Sequence, residues 1–167
     1  MSIAESFLWE FDNEMNITRS VLERVPEQDA AWQPHPKSST LGFLAAHIAN
    51  LPRWASGTVE HDQVDVSLPS SEGFRQPPFD STSALLERFD RNVEAARKAV
   101  SGADDAHLAG PWTLRVGDKI LFSMPRSSVL RSFVVSHIVH HRGQLSVYLR
   151  LRDVPLPRIY GPSADTP

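Results

Sequence analysis

Apolar residues recur three and four positions apart over four long stretches of the chain, the spacing that lines one face of an α-helix. The first stretch opens with Ser2-Ile3-Ala4-Glu5, a capping-box sequence in which the Ser2 hydroxyl and the Glu5 carboxylate cover free backbone N–H groups. Phe7, Leu8, Phe11, Met15, Thr18, Leu22 and Val25 then fall near one face. Pro26 ends the pattern, since it lacks an amide proton and disfavours helix at the residue before it. Pro34 and Pro36 make the segment up to Ser38 a loop, with Trp32 as its anchor into the core. Ser39 or Thr40 caps a second helix carrying Leu41, Phe43, Leu44, Ala45, His47, Ile48, Leu51 and Trp54, kinked or ended early at Pro52.

No period is evident from Gly57 to Asp80, a stretch that holds Pro69, Pro77 and Pro78. So long a connection implies a crossover or a lid, and it would let the second and third helices run in the same direction. Asp80 or Ser81 caps the third helix, which carries Leu85, Leu86, Phe89, Val93, Ala96 and Val100 and closes at Gly102. Its other side is charged (Glu87, Arg88, Asp90, Arg91, Glu94, Arg97) and reads as a solvated face. Trp112–Val116 and Lys119–Phe122 alternate about Gly117-Asp118, which predicts a short β-hairpin. The fourth helix begins at Ser123 or a neighbour, with Pro125 in its first turn, and runs to about Arg152. The tail from Asp153 to Pro167 reads as an extended segment laid on the surface. The pattern predicts an all-α fold of four helices, with a β-hairpin between the third and fourth.

Composition narrows the picture. The length of 167 residues suits one domain spanning 1–167. A formal net charge of −3 gives no basic field to recommend nucleic acid or an anionic membrane as a partner. The absence of cysteine excludes disulfides, thiolate zinc sites and a cysteine nucleophile, and it fits a reducing compartment. No basic region followed by an apolar run marks a signal peptide, and no stretch is long enough to span a bilayer. The expectation is a cytoplasmic protein.

Chemistry concentrates in the last helix. His137, His140 and His141 are three of the seven histidines. Positions four apart on a helix differ by about 40° of rotation, so His137 and His141 point the same way, one turn apart. They interrupt an apolar stripe that includes Val134, Leu145 and Tyr148, so they face a core rather than water. His47, between Leu44 and Leu51 on the apolar side of the second helix, is the third inward histidine that such a pair needs to hold a metal ion. His140 lies about 60° to the other side of His137, which suits a supporting or surface role. His35, His61 and His107 fall in loops and are expected to be exposed. Three neutral imidazoles leave zinc a position for water or substrate; imidazole also accepts nickel, copper or iron. Gln144, one turn beyond His141, either orients a ligand or satisfies neighbouring backbone. Tyr148 and Trp54 read as core, and Arg142 as a salt-bridge or dimer contact. No general base and no Ser-His-Asp or paired-acid set can be placed.

The order of these pieces resembles a known family. Trp32-Gln33-Pro34 stands ahead of a Ser-rich cap, and Gly42-Phe43-Leu44-Ala45-Ala46-His47 follows. The Trp112 hairpin, His137-Ile138-Val139-His140-His141-Arg142-Gly143-Gln144 and Pro157-Arg158-Ile159-Tyr160-Gly161-Pro162 complete the set. The chain resembles the DinB/YfiT-like superfamily of metal-binding four-helix bundles, nearly end to end. That resemblance implies an up-down-down-up bundle, a divalent metal on His47, His137 and His141 with zinc or nickel foremost, and frequently a homodimer. Members of known activity include thiol-dependent transferases and isomerases and metal-dependent hydrolases. By resemblance, the protein is expected to act on a small-molecule substrate, as a hydrolase or with a low-molecular-weight thiol as cofactor; the competing expectation is a non-catalytic binding module.

Overall fold

The computed structural model describes residues 1–68, 71 and 77–166. Pro69, and with it part of the long connection before the third predicted helix, lies outside the described residues. Helix dominates the chain. Helix α1 spans Ile3–Leu22, and its predicted capping box is complete: Ser2 Oγ accepts from the Glu5 amide at 3.1 Å, and Glu5 Oε2 accepts from the Ser2 amide at 2.7 Å. Helix α2 (Leu41–Asn50) is capped by the Thr40 hydroxyl, which accepts from the Phe43 amide. Leu51 and Pro52 form a turn, and α3 (Arg53–Glu60) continues beyond it. The break predicted at Pro52 is present, but helix persists to Glu60, past the point where periodicity fades.

Helix α4 (Thr82–Ser101) starts on the Ser81 cap and ends at Gly102. It packs on α1, α2 and α3. Leu85, Phe89, Ala96 and Val100 are buried, and the opposite side is solvated as expected. Arg19 and Asp12 on α1 pair with Asp90 and Arg97 on α4 across the surface. Such exposed pairs add little stability, about 0–1 kcal/mol each. More telling is the Asn92 amide, which donates to the Ala49 carbonyl at 2.9 Å and ties α4 to the end of α2.

A short helix, α5 (Asp105–Ala109), leads into the hairpin of β2 (Pro111–Val116) and β3 (Lys119–Pro125). Gly117 turns it in a left-handed conformation, φ +56°, which glycine adopts without a side-chain clash. The hairpin is as predicted, but the sheet has three strands rather than two. Strand β1 (Gln63–Asp65) runs parallel to β2, with Val64 beside Leu114. A three-residue strand bounded by polar residues carries no alternation to detect. The start of the last helix also differs from expectation, because Ser123 to Pro125 extend β3 and α6 begins at Arg126.

Helix α6 (Arg126–Val129) passes into a π-helical segment, Leu130–Ser136, and then into α7 (His137–Leu151). Together they supply Leu130, Val134, Val135, Ile138, Leu145 and Leu149, all fully buried, to the core shared with α1, α2 and α4. The tail is extended, as expected, and packs Val154, Leu156 and Ile159 on that core. Trp32 anchors its loop through an edge-on contact with Tyr148 at 5.6 Å. Phe43 departs from the sequence reading: it sits in an apolar run, yet it is 54% exposed.

Candidate metal centre

Helices α2 and α7 pack against each other and bring together three histidines that are 90 and more residues apart in the chain. His47, His137 and His141 each offer a ligand atom, and these atoms all lie within 4.8 Å of one another. His47 Nε2 and His137 Nε2 are 3.4 Å apart. Zinc–nitrogen bonds of 2.0–2.1 Å at tetrahedral angles would put two ligand nitrogens roughly 3.4 Å apart, so this pair already has the spacing an ion requires. The ring centroids of His141 lie 4.7 Å from those of both His47 and His137. All three residues are half-buried.

Protonation state and orientation also suit a metal. Burial is the main cause pushing His137 down to about 4, with the neighbouring His141 and His47 adding to it, while a hydrogen bond to the Phe133 carbonyl pulls the other way. His141 is lowered too, again chiefly by burial; its bond to Gln144 opposes the shift. Near neutral pH both rings are therefore neutral, the form that binds metal. His141 Nδ1 lies 2.6 Å from Gln144 Oε1. With the proton on Nδ1 donated to that carbonyl oxygen, the lone pair of His141 sits on Nε2, available to an ion. Of the two roles open to Gln144 in the sequence, the structure supports the one that orients a ligand.

The other histidines fall where the sequence puts them. His140 is exposed, its ring 4.8 Å from that of His141. His35, His61 and His107 are exposed as well. Arg142 is an internal anchor. It is 1% exposed, ion-pairs with Glu14 Oε2 at 2.7 Å, and donates to the Glu14 carbonyl, the Thr18 hydroxyl and the Tyr160 hydroxyl. It follows His141 directly, so this anchor fixes the rotation of α7 that turns both histidines toward α2. Glu14 is the one buried carboxylate among the described residues, and its pairing with Arg142 leaves it unsuited to act as a base.

Sequence reasoning did not find the cavity beside the cluster, about 220 Å³ in volume, which has His47 and His137 in its wall. Trp54, assigned to the core, borders it. The hairpin forms another wall, held by Arg126. That guanidinium is buried and donates to the Thr58 carbonyl at 3.1 Å and the Pro111 carbonyl at 2.9 Å, and it pairs with Asp62. One side chain thus clamps the end of α3, strand β2 and the start of α6. No sequence signal marks this role, since an arginine after a proline reads as a surface residue.

The chain has recognisable relatives. Residues 10–145 match the family described as the DinB superfamily. An uncharacterised protein of Bacillus subtilis (strain 168), YrdA, is 24% identical over 161 residues, covering 94% of this chain and 86% of that one. Among solved structures, a DinB-like protein from Bacillus cereus superimposes with a TM-score of 0.71 at 23% identity, covering 93% of this chain and 97% of the other. The DinB-like protein YjoA of Bacillus subtilis gives 0.70 at 17% identity, over 92% and 97%. At such identities the structural likeness bears on fold alone. Among the described residues no helix is long and apolar enough to cross a membrane. Helix order, the small sheet and the match over most of its length agree: the chain belongs to the DinB superfamily.

Proposed function

We propose that the protein is a metal-dependent enzyme, a hydrolase or a thiol-dependent transferase, acting on a small molecule. The observation that carries this reading is a three-histidine cluster of metal-binding dimensions opening on a cavity. His47, His137 and His141 would hold a divalent ion, zinc or nickel. A Lewis acid there supplies polarisation of a bound oxygen or sulfur, lowering its pKa toward neutrality. The protein's own contribution is positional. Gln144 holds the His141 ring, Arg142 holds the helix that carries it, and the walls beside His47 and His137 bind the substrate and keep bulk water from it.

The same reading takes residues 1–167 as one domain in an up-down-down-up four-helix bundle, counting α2 with α3 and α6 with α7 as single arms. It takes the protein as a cytoplasmic homodimer without nucleic-acid or membrane partners. A second reading, a non-catalytic dimeric binding module, draws support from Val147 and Leu151 on α7, which are 57% and 55% exposed. Elemental analysis of protein purified without an affinity tag tests the first reading, beside the His47→Ala, His137→Ala and His141→Ala variants. The expected result is near-stoichiometric divalent metal, lost in all three variants, followed by turnover in a screen of hydrolase and thiol-transfer probes. Wild-type protein that holds no metal after reconstitution would overturn it in favour of the module.

A further inference from the structure

The cavity beside the histidines has a chemical character of its own. Four aromatic side chains, Trp54, Trp112, Phe122 and Phe133, form most of its wall. They pack on one another, Phe122 against Phe133 at 4.5 Å and nearly parallel, Trp112 against Phe122 at 6.0 Å, and Trp54 edge-on to Trp112 at 6.5 Å. The aliphatic side chains of Leu114 and Val129 close the space between them. Away from His47 and His137 the lining carries one polar atom with a defined deficit. Trp112 is fully buried, and its indole Nε1 has no hydrogen-bond partner in the protein. A buried indole N–H normally finds an acceptor, and leaving one unmet costs about 1–3 kcal/mol.

Size and polarity together restrict the occupant. An apolar cavity of roughly 150 Å³ accepts benzene. At about 220 Å³ this one has room for a ring with a small substituent. A polyol or sugar would bury several hydroxyls against rings that cannot pair with them. A purely hydrocarbon group would leave the Trp112 N–H unmet.

We propose that this cavity binds an aromatic or similarly compact apolar group bearing one hydrogen-bond acceptor, which receives the Trp112 indole N–H. The remainder of the molecule extends toward His47 and His137. This assigns a substrate class to the site and rests on the metal-dependent reading above only for what happens at the histidine end. Thiol cofactors built on sugars are excluded from the cavity by its walls.

The test uses the full-length protein, as purified and again after chelation, with two probes of matched shape. Acetophenone has the acceptor; α-methylstyrene replaces its carbonyl oxygen with a methylene. Both are titrated while the tryptophan indole resonances are followed by ¹H–¹⁵N correlation spectra, with inositol as the polar control. Both aromatic probes are expected to bind and inositol not to. Only acetophenone should move the Trp112 N–H resonance downfield. Trp112→Phe should weaken acetophenone about fivefold, the value of one neutral hydrogen bond, and leave α-methylstyrene within about twofold. Failure of both aromatic probes to bind wild-type protein would overturn the proposal. So would a Trp112 resonance that responds alike to the two probes, which would mean the N–H is already committed to the neighbouring ring faces. The spectra of wild-type protein decide this even if the variant misfolds. Binding by the chelated sample is independent of metal, so the failure of the metal reading and the failure of this one are separate results.

Discussion

Replacing Arg142 with methionine should destabilise the protein far more than a surface arginine would. The guanidinium is 1% exposed and makes four polar contacts: the Glu14 carboxylate at 2.7 Å, the Glu14 carbonyl at 3.1 Å, the Thr18 hydroxyl at 3.2 Å and the Tyr160 hydroxyl at 2.5 Å. Thr18 keeps a partner without it, because its hydroxyl donates to the Glu14 carbonyl at 2.7 Å. Glu14 is the casualty. At 6% exposure its carboxylate would retain the Tyr160 hydroxyl, at 2.9 Å, and no cation. Removing one member of a buried ion pair costs about 3–5 kcal/mol, most of it the stranded charge. The double variant Glu14→Leu/Arg142→Met removes both charges and should recover most of that loss. Urea unfolding at neutral pH, followed by far-ultraviolet circular dichroism, measures all three proteins. A loss below about 1 kcal/mol in Arg142→Met, or a double variant as unstable as the single, would refute the reasoning. A second readout follows from position: with α7 less firmly oriented, Arg142→Met should also bind zinc more weakly.

Further expectations concern the same helix. Gln144→Leu should fold normally but lose metal affinity about 10- to 100-fold in a competition titration, since it removes the acceptor that fixes the His141 ring; unchanged affinity would make the amide incidental. In metal-free protein, His137 has a folded pKa of about 4, below its ordinary 6.5, so the unfolded chain binds more protons between those values. Its contribution is therefore full above about pH 6.5 and is lost as pH falls toward 4. Discounted for the solvent that reaches the half-buried ring, it amounts to about 2 kcal/mol and should be missing from the pH–stability profile of His137→Gln. Gly143 lies mid-helix with nothing within 4 Å of the position a Cβ would take. Gly143→Ala should raise the stability of the subunit by about 0.5–1 kcal/mol, read as a higher urea midpoint.

How much of this was legible in the sequence depends on how far apart the deciding residues are. Caps are local, so Ser2 with Glu5, Thr40 and Ser81 could be read directly, and the helices they start are where periodicity puts them. The histidine cluster was legible for a related reason. A four-residue spacing fixes the relative direction of His137 and His141, and the apolar neighbours of His47 fix its own. The partners of Arg142 were not legible, because Glu14 stands 128 residues away and Tyr160 another 18 along an irregular tail. The cavity was hidden for the same cause: its walls are strand residues whose facing depends on the pairing of β1 with β2 and on the Arg126 clamp. Phe43 shows the limit of an apolar pattern, which marks the residues able to enter a core without saying that there is room for each of them.

The π-helical turn between Leu130 and Ser136 has a consequence for how this chain tolerates insertions and deletions. Closing backbone bonds five residues apart instead of four accommodates one residue more than an α-helix would over the same rise. Each residue advances an α-helix by about 100°, so the turn acts as a phase shifter between the two halves of a continuous rod. Upstream, Val129 faces the hairpin; downstream, His137 and His141 face α2. Deleting a single residue within the turn would let the rod relax to regular α-helix with every hydrogen bond intact. It would also rotate one half against the other by roughly a quarter turn, so that core and histidines could no longer face inward together. A length change that most surface loops absorb unnoticed would therefore uncouple the histidines from the fold that aims them.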